Sequence, residues 1–255
     1  MLSSMKNNVV HIAKKYVIPF IFWLSVWELI AIAVDHSYFF PHLTDVLFAL
    51  KDLILSLSTY RAIFITFLRI VTGILFGVLL GVLFAFLSHK FDVAKAVLSP
   101  AVSVMKITPI AILYSLLYIK LGKILPELVA VLMVIPIIWQ NLINGYNSID
   151  KNLSEVCDVY EFSGLKRFRI LTFPALFKYF IPALITAMGI AFKAEISMEI
   201  LLYSIDSIGG AIFDAKQASE TDTAFAWAII IVILGIITEK LSAILLRRYE
   251  NGLNT

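Results

Sequence analysis

The sequence predicts an all-α integral membrane protein with about six transmembrane helices. Three observations carry that prediction. The 255 residues are 60% hydrophobic and only 15% charged, whereas a soluble domain carries about 25% charged residues. The mean hydropathy is +0.92. The apolar residues also gather in six segments near the length of about 20 residues needed to cross hydrocarbon. A soluble enzyme of this size has no core large enough to hide so much apolar side chain, and disorder is excluded for the same reason. Cys157 is alone, which excludes a disulfide scaffold. The net charge of +3 is too small to suggest a nucleic-acid partner.

Lys6, Lys14 and Lys15 precede the first apolar stretch, residues 16–34, and no small-residue cleavage site follows it. It reads as a first span rather than a signal peptide, with Trp23, Trp27 and one acid, Glu28. Pro41 breaks the chain. From Leu43 to Leu57 apolar residues recur at helical spacing with Asp45, Lys51 and Asp52 between them, the pattern of a short helix lying at the membrane surface. The second span covers residues 62–87. Its Gly73, Gly77 and Gly81 lie four apart on one face, where small residues let a neighbouring backbone approach; packing within one subunit and a seam between subunits both fit.

After a short polar turn at 89–95, a third span runs over residues 97–119, interrupted by Pro100 and Pro109. Beyond Gly122–Lys123 a fourth covers 126–143, with Pro136 inside. Membrane helices tolerate proline because neighbours and water satisfy the freed carbonyls. A polar stretch, 147–173, leads to a fifth span at 174–202. Residues 203–222 read as a polar loop in which Gly209–Gly210 lets the chain fold back near a pathway mouth, although ordinary loop flexibility fits nearly as well. The sixth span, 223–246, is closed by Arg247 and Arg248. The chain reads as a single transmembrane domain over residues 1–255.

Charge sets the orientation. With six spans both termini share one side, and most basic residues fall there; only Lys51, Arg61, Lys120, Lys123 and Lys216 fall on the other. The positive-inside bias places both termini and the 147–173 loop in the cytoplasm.

That loop reads NSIDKNLSEVCDVYEFSGLKRFRILTFP. Asn152, three residues before Glu155, gives a capping-box-like helix start. Val156, Val159, Tyr160 and Phe162 give the helix an apolar side, and Ser163–Gly164 reads as its stop. Leu165 to Phe173 reads as a second short helix with Lys166, Arg167 and Arg169 among Leu165, Phe168 and Ile170. Pro174 suits the first turn of the next span. An amphipathic element has to bury one side. It either lies on its own spans with its bases on anionic lipid or docks a partner protein in helix-in-groove fashion.

Lys106, Lys193, Glu195 and Glu199 fall at membrane depth, where a charge normally pairs or faces a cavity. Glu195 and Glu199 share a helix face. The expectation is that Lys106 or Lys193 pairs with them along a pathway lining, where a lysine could also attract an anionic substrate; a packing or gate ion pair fits equally well. His11, His36, His42 and His89 lack metal-ligand spacing. Cys157 reads as a small packing residue.

The loop resembles the cytoplasmic loop of binding-protein-dependent ABC importer permeases, whose consensus is Glu-Ala-Ala, three residues, Gly, nine residues, Ile, one residue, Leu-Pro. Aligned on Pro174, the Glu falls on Glu155, the two Ala on Val156 and Cys157, the Ile on Leu171 and the Leu on Phe173. The Gly falls on Glu161, a departure, with Gly164 three residues later. The stretch from Phe192 to Gly235, including Glu199, Gly209, Gly210, Asp214 and Asp222, resembles the subfamily importing nitrate, sulfonates and taurine. FFPHLTDVLFAL resembles that subfamily's interfacial helix.

The resemblance implies a type I importer fold in which two permeases, here a homodimer, form the pathway. Two cytoplasmic ATPase subunits dock on the loops, through residues that here include Tyr160 and Phe162, and an extracytoplasmic binding protein delivers a small anionic or organic nutrient. The chain contains no Gly-x-x-x-x-Gly-Lys phosphate loop, so ATP and Mg would be bound by the partner ATPase, not by this chain. Two other classes remain open from the residues alone: an ion-gradient-driven transporter using Glu195 and Glu199, and a membrane-embedded enzyme.

Overall fold

The computed structural model describes residues 17–253. Lys6, Lys14, Lys15 and the Tyr16 start of the first span lie outside the described residues, as do the side chains of Arg247 and Arg248. Among the described residues all regular structure is helical, as the composition predicts: α1 Ile18–Val34, α2 Leu43–Leu55, α3 Leu57–Lys90, α4 Asp92–Ile107, α5 Ile110–Leu121, α6 Leu125–Asn147, α7 Lys151–Val159, α8 Gly164–Arg167, α9 Phe173–Leu202, α10 Ile208–Gln217 and α11 Thr221–Leu253. Four helical runs are long and apolar enough to cross a membrane: α3, α6, Gly164–Leu202 and Thr221–Leu241. The α4–α5 pair makes a fifth if counted as one span, and α1, at 17 residues, is a shorter apolar helix. Length and composition thus account for four or five crossings, not the expected six.

The expected third span, 97–119, is not one rod. Its halves α4 and α5 meet at 104°. Pro109 disfavours helical backbone at Thr108, which turns extended (ψ 120). The Thr108 N–H and hydroxyl both donate to the Val104 carbonyl, at 3.0 and 2.6 Å, and close α4. Pro100 is absorbed inside α4.

The chain divides into two compact units. The first comprises residues 17–60 with 211–231. Here Glu28, the acid of the first apolar stretch, accepts from His42 Nδ1 at 2.8 Å and from the Leu43 N–H at 3.1 Å, so it caps α2. Trp27 donates to the Pro41 carbonyl at 3.1 Å and packs against the rings of Phe40 and Phe225. Tyr38 and Ser219 hydroxyls meet at 2.9 Å, and Thr221 donates to the Tyr38 carbonyl.

The second unit comprises residues 61–210 with 232–253. Its centre is α6, with 61% of its apolar window buried against 28% for α3. The glycine stripe of α3 faces α6: a methyl added at Gly73, Gly77 or Gly81 would lie 2.7, 2.6 or 2.8 Å from Ala130, Val134 or Ile138. The stripe therefore packs within one subunit. Lipid is as apolar as these side chains, so the stabilisation comes from close van der Waals contact, which small residues permit. On α9 the buried Ala183, Ala187 and Ala191 play the same part against α6.

The contacts also fix direction. Positions rise together along α3 and α6 (73 with 130, 77 with 134, 81 with 138), so the two helices run parallel. The bent α4–α5 pair must therefore carry the chain back from the end of α3 to the start of α6. In contrast, Gly145 near the end of α6 meets Leu176 near the start of α9, so those two run antiparallel.

Candidate functional site

Two sites stand at opposite ends of α6. The polar loop follows its C-terminal end. Asp150, not Asn152, caps α7: its carboxylate accepts from the Asn152 N–H at 2.8 Å. The helix stops at Val159, before the expected Ser163–Gly164. The turn residue is Glu161, whose φ of +48° is left-handed. A side chain costs roughly 1–2 kcal/mol there, and glycine does not pay it. This is the position to which the permease consensus assigns Gly, so the same turn is built here at a small strain. Ser163 instead begins the next helix, accepting from the Lys166 N–H, with Gly164 as its first residue.

The expected separate second helix, Leu165 to Phe173, does not exist. α8 passes through a π-helical turn, Phe168–Thr172, directly into α9. Pro174 explains the widened turn, because it has no N–H to give to Ile170 and its ring would strike that carbonyl.

Arg167 ties the second arm to the first through Asp158 at 2.5 Å and through Ser154. Lys166 stands over the Phe162 ring at 3.8 Å. Cys157 is buried and faces inward. The apolar side of α7 does not: Val156 is 47% exposed, Val159 78% and Tyr160 72%. Glu155, Glu161, Gly164, Phe173 and Pro174 are also exposed, and Phe162 and Leu171 half-buried. The two arms of the loop are tied by Arg167, and the apolar side of its first helix is exposed.

The second site is a charge cluster at the other end, where α3 and α6 begin and α9 finishes. Arg69 Nη1 meets Glu199 Oε1 at 3.1 Å, and its Nε meets Glu127 Oε1 at 3.2 Å. Arg69 also donates to the Ser204 hydroxyl at 2.6 Å. Glu199 is fully buried and accepts from Thr66 Oγ1 (2.8 Å) and the Gly209 N–H (3.2 Å). Thr66 in turn accepts from the Ile208 N–H at 3.0 Å. Gly209 and Gly210 are not a flexible hinge. They begin α10 pressed so closely on Glu199 and the Ser204 carbonyl that no Cβ fits. The expected 203–222 loop is therefore largely helix.

The expected pairing of Lys106 or Lys193 with the two acids is replaced by Arg69. Both lysines are exposed, and among the described residues neither makes an ion pair. Glu195 does share the Glu199 face, and it is fully buried in the field of Glu127, Glu199 and Arg69, with neither oxygen hydrogen-bonded. Sequence reasoning counts Arg69 among the basic residues inside spans but gives it no role, and passes over Thr66 and Glu127. The signal was present: Thr66, Arg69 and Gly73 recur on one face of α3, and the face that meets Ala130 also meets Glu127 one turn earlier.

Lys106 lines a separate cavity of about 250 Å³ midway along α6, with Gln140 and Asn141. Among the described residues no group of three His, Cys, Asp or Glu side chains is placed to hold a metal.

Apolar helices of crossing length define a multi-pass membrane protein, and the loop after α6 exposes an apolar side. Residues 73–251 match the family described as binding-protein-dependent transport system inner membrane component. The chain is 26% identical over 239 residues to the putative aliphatic sulfonates transport permease protein SsuC of Bacillus subtilis (strain 168), covering 88% of this chain and 82% of that one. The fold is similar to a solved amino acid ABC transporter with histidines, at a TM-score of 0.58 and 18% identity, covering 73% of this chain and 92% of that one. The chain belongs to the binding-protein-dependent transport system inner membrane component family. It is a transport permease subunit, not an enzyme, and membership implies an ATPase and a substrate-binding protein as partners.

Proposed function

We propose that the chain, as one transmembrane domain, forms half of the pathway of an ATP-driven importer for small organic anions of the sulfonate, taurine or nitrate kind. The observation that carries the coupling role is the outward apolar side of α7, held by the Arg167–Asp158 tie. Glu155 to Pro174 form the hook on which a cytoplasmic ATPase, carrying ATP and Mg, docks. Nucleotide-driven closure of that ATPase pulls the hooks of two permease copies together, and the contacts that differ between the two states supply the coupling free energy. A second copy of this chain closes the assembly most simply, with lipid around its exposed apolar helices. The family's description supports an inner membrane, the positive-inside bias favours both termini and the loop inside, and six crossings result if α1 and the α4–α5 pair each count as one.

At the outer end, Arg69 with Glu199 and Glu127 forms a latch that holds α3, α6 and α9 together, with Glu195 buried beside it and taking no part in the pairing. Lys106 and Lys193 line the path. The similarity to a permease named for aliphatic sulfonates supports the substrate class.

The test is co-expression with the ATPase and binding protein, followed by uptake of ethanesulfonate into proteoliposomes. Uptake is expected only with ATP. Deleting Glu155–Gly164 is expected to abolish ATPase co-purification while the spans stay inserted. Uptake driven by an ion gradient with no nucleotide would overturn the proposal.

A further inference from the structure

The α6 helix has its charge latch at Glu127 and its loop at Asn147, so Ile137 stands about ten residues, roughly 15 Å, from either end. The cavity of about 250 Å³ opens at that midpoint. Its apolar wall is Met105, Met133, Ile137 and Ile190; its polar groups are Lys106, Gln140 and Asn141. It adjoins the 104° break between α4 and α5, two residues beyond Lys106. Secondary transporters bind cargo near the midplane at broken helices, where backbone and charge are both available, and this cavity offers the same combination.

Lys106 is a cation at this depth with no ion pair among the described residues, and Glu127 and Glu199 are paired with Arg69 toward the start of α6. A lone charge at membrane depth faces water or a counter-ion. Gln140 donates to Asn144 Oδ1 at 3.3 Å and Asn141 to the Ile137 carbonyl at 2.8 Å. Each amide NH₂ carries two hydrogens, so each keeps one to give. The cavity thus offers one positive charge and two neutral donors beside a wall of flexible methionine and isoleucine, which adapts to an apolar tail. Its volume is below the roughly 300–1,000 Å³ of drug-sized sites, so the occupant is small.

We infer that this cavity is a binding site for a small organic anion with a short apolar tail, of the alkanesulfonate kind: the headgroup sits on Lys106, Gln140 and Asn141, and the tail lies against Met133 and Ile190. The inference rests on the proposed importer function and names the residues that would recognise its cargo.

The purified full chain in lipid nanodiscs is titrated with ethanesulfonate, with ethylammonium as the cationic control, and binding is read by saturation-transfer NMR. Ethanesulfonate is expected to bind and ethylammonium not. Lys106→Met is expected to weaken binding about 10- to 100-fold, the loss of a charge-assisted hydrogen bond, and Lys106→Arg to keep it within a few-fold. Met133→Trp, which fills the cavity from the apolar wall, is expected to remove it. Equal binding by Lys106→Met and the unmodified chain, or ethylammonium binding as well as ethanesulfonate, overturns the site. A second arm follows uptake by the complete transporter in proteoliposomes. ATP-driven ethanesulfonate uptake whose KM ignores Lys106→Met overturns the site and leaves the importer function standing. Lys106-dependent binding to a chain whose complex shows no ATP-driven uptake overturns the importer function and leaves the site.

Discussion

Arg69→Met removes the cation of the charge cluster at the Glu127 end of α6 while keeping an apolar stem of similar reach on α3. Glu199, fully buried, loses its ion pair at 3.1 Å and keeps only Thr66 and the Gly209 N–H. Glu127 loses its pair at 3.2 Å and Ser204 its 2.6 Å hydrogen bond. Removing one partner of a buried pair costs about 3–5 kcal/mol, because the other charge stays buried and uncompensated. The Arg69 and Glu127 side chains are 19% and 27% exposed, so that second pair is partly screened by solvent and adds at most about 1 kcal/mol. We therefore expect Arg69→Met to destabilise by about 3–5 kcal/mol in denaturant unfolding of the purified chain in micelles. Glu199→Gln removes the stranded charge and keeps the shape. Combined with Arg69→Met it should recover about 1–3 kcal/mol, the coupling expected for residues in one network. If the double mutant equals the sum of the two singles to within about 0.5 kcal/mol, Arg69 does not hold Glu199 and the latch does not exist.

Other perturbations follow from single positions. Gly77→Ala places a methyl 2.6 Å from Val134 Cβ and should cost about 1–3 kcal/mol by overpacking; Val134→Gly should restore part of it in the same unfolding assay. Glu161→Gly should relieve left-handed strain and leave ATPase co-purification intact. Glu161→Val should weaken the loop by about 1–2 kcal/mol, read as faster hydrogen exchange in α7. Glu195→Met removes two buried, unpartnered oxygens and should raise stability by about 1–3 kcal/mol; a fall would reveal a partner for that carboxylate.

Much of the architecture was legible because it depends on local patterns. Runs of apolar residues locate α3, α6 and α9 to within about five residues and the start of α11 to within two, and the charge pattern isolates the 147–173 loop. The helix ends of that loop were less legible. Asp150 caps where Asn152 was expected, and Ser163 starts a helix where it was read as a stop, because both residue types suit either role and the neighbouring turn decides. Glu161 was the hardest position. Nothing in an isolated glutamate announces a left-handed backbone; only the comparison with a consensus glycine hints at it. Pro109 was flagged as an interruption, but whether a proline kinks a helix or breaks it by 104° depends on what packs against each half.

What the amino-acid order settled alone is the class of molecule and the position of its polar loop, since hydropathy, charge and helical spacing are properties of neighbours along the chain. Tertiary structure decided which faces meet: that the glycine stripe packs on α6, that Glu199 takes Arg69, 130 residues away, and that Lys106 is left facing a cavity. Pairings of that kind follow from how helices register against one another, and a charge buried in hydrocarbon settles on whichever opposite charge that register brings within reach.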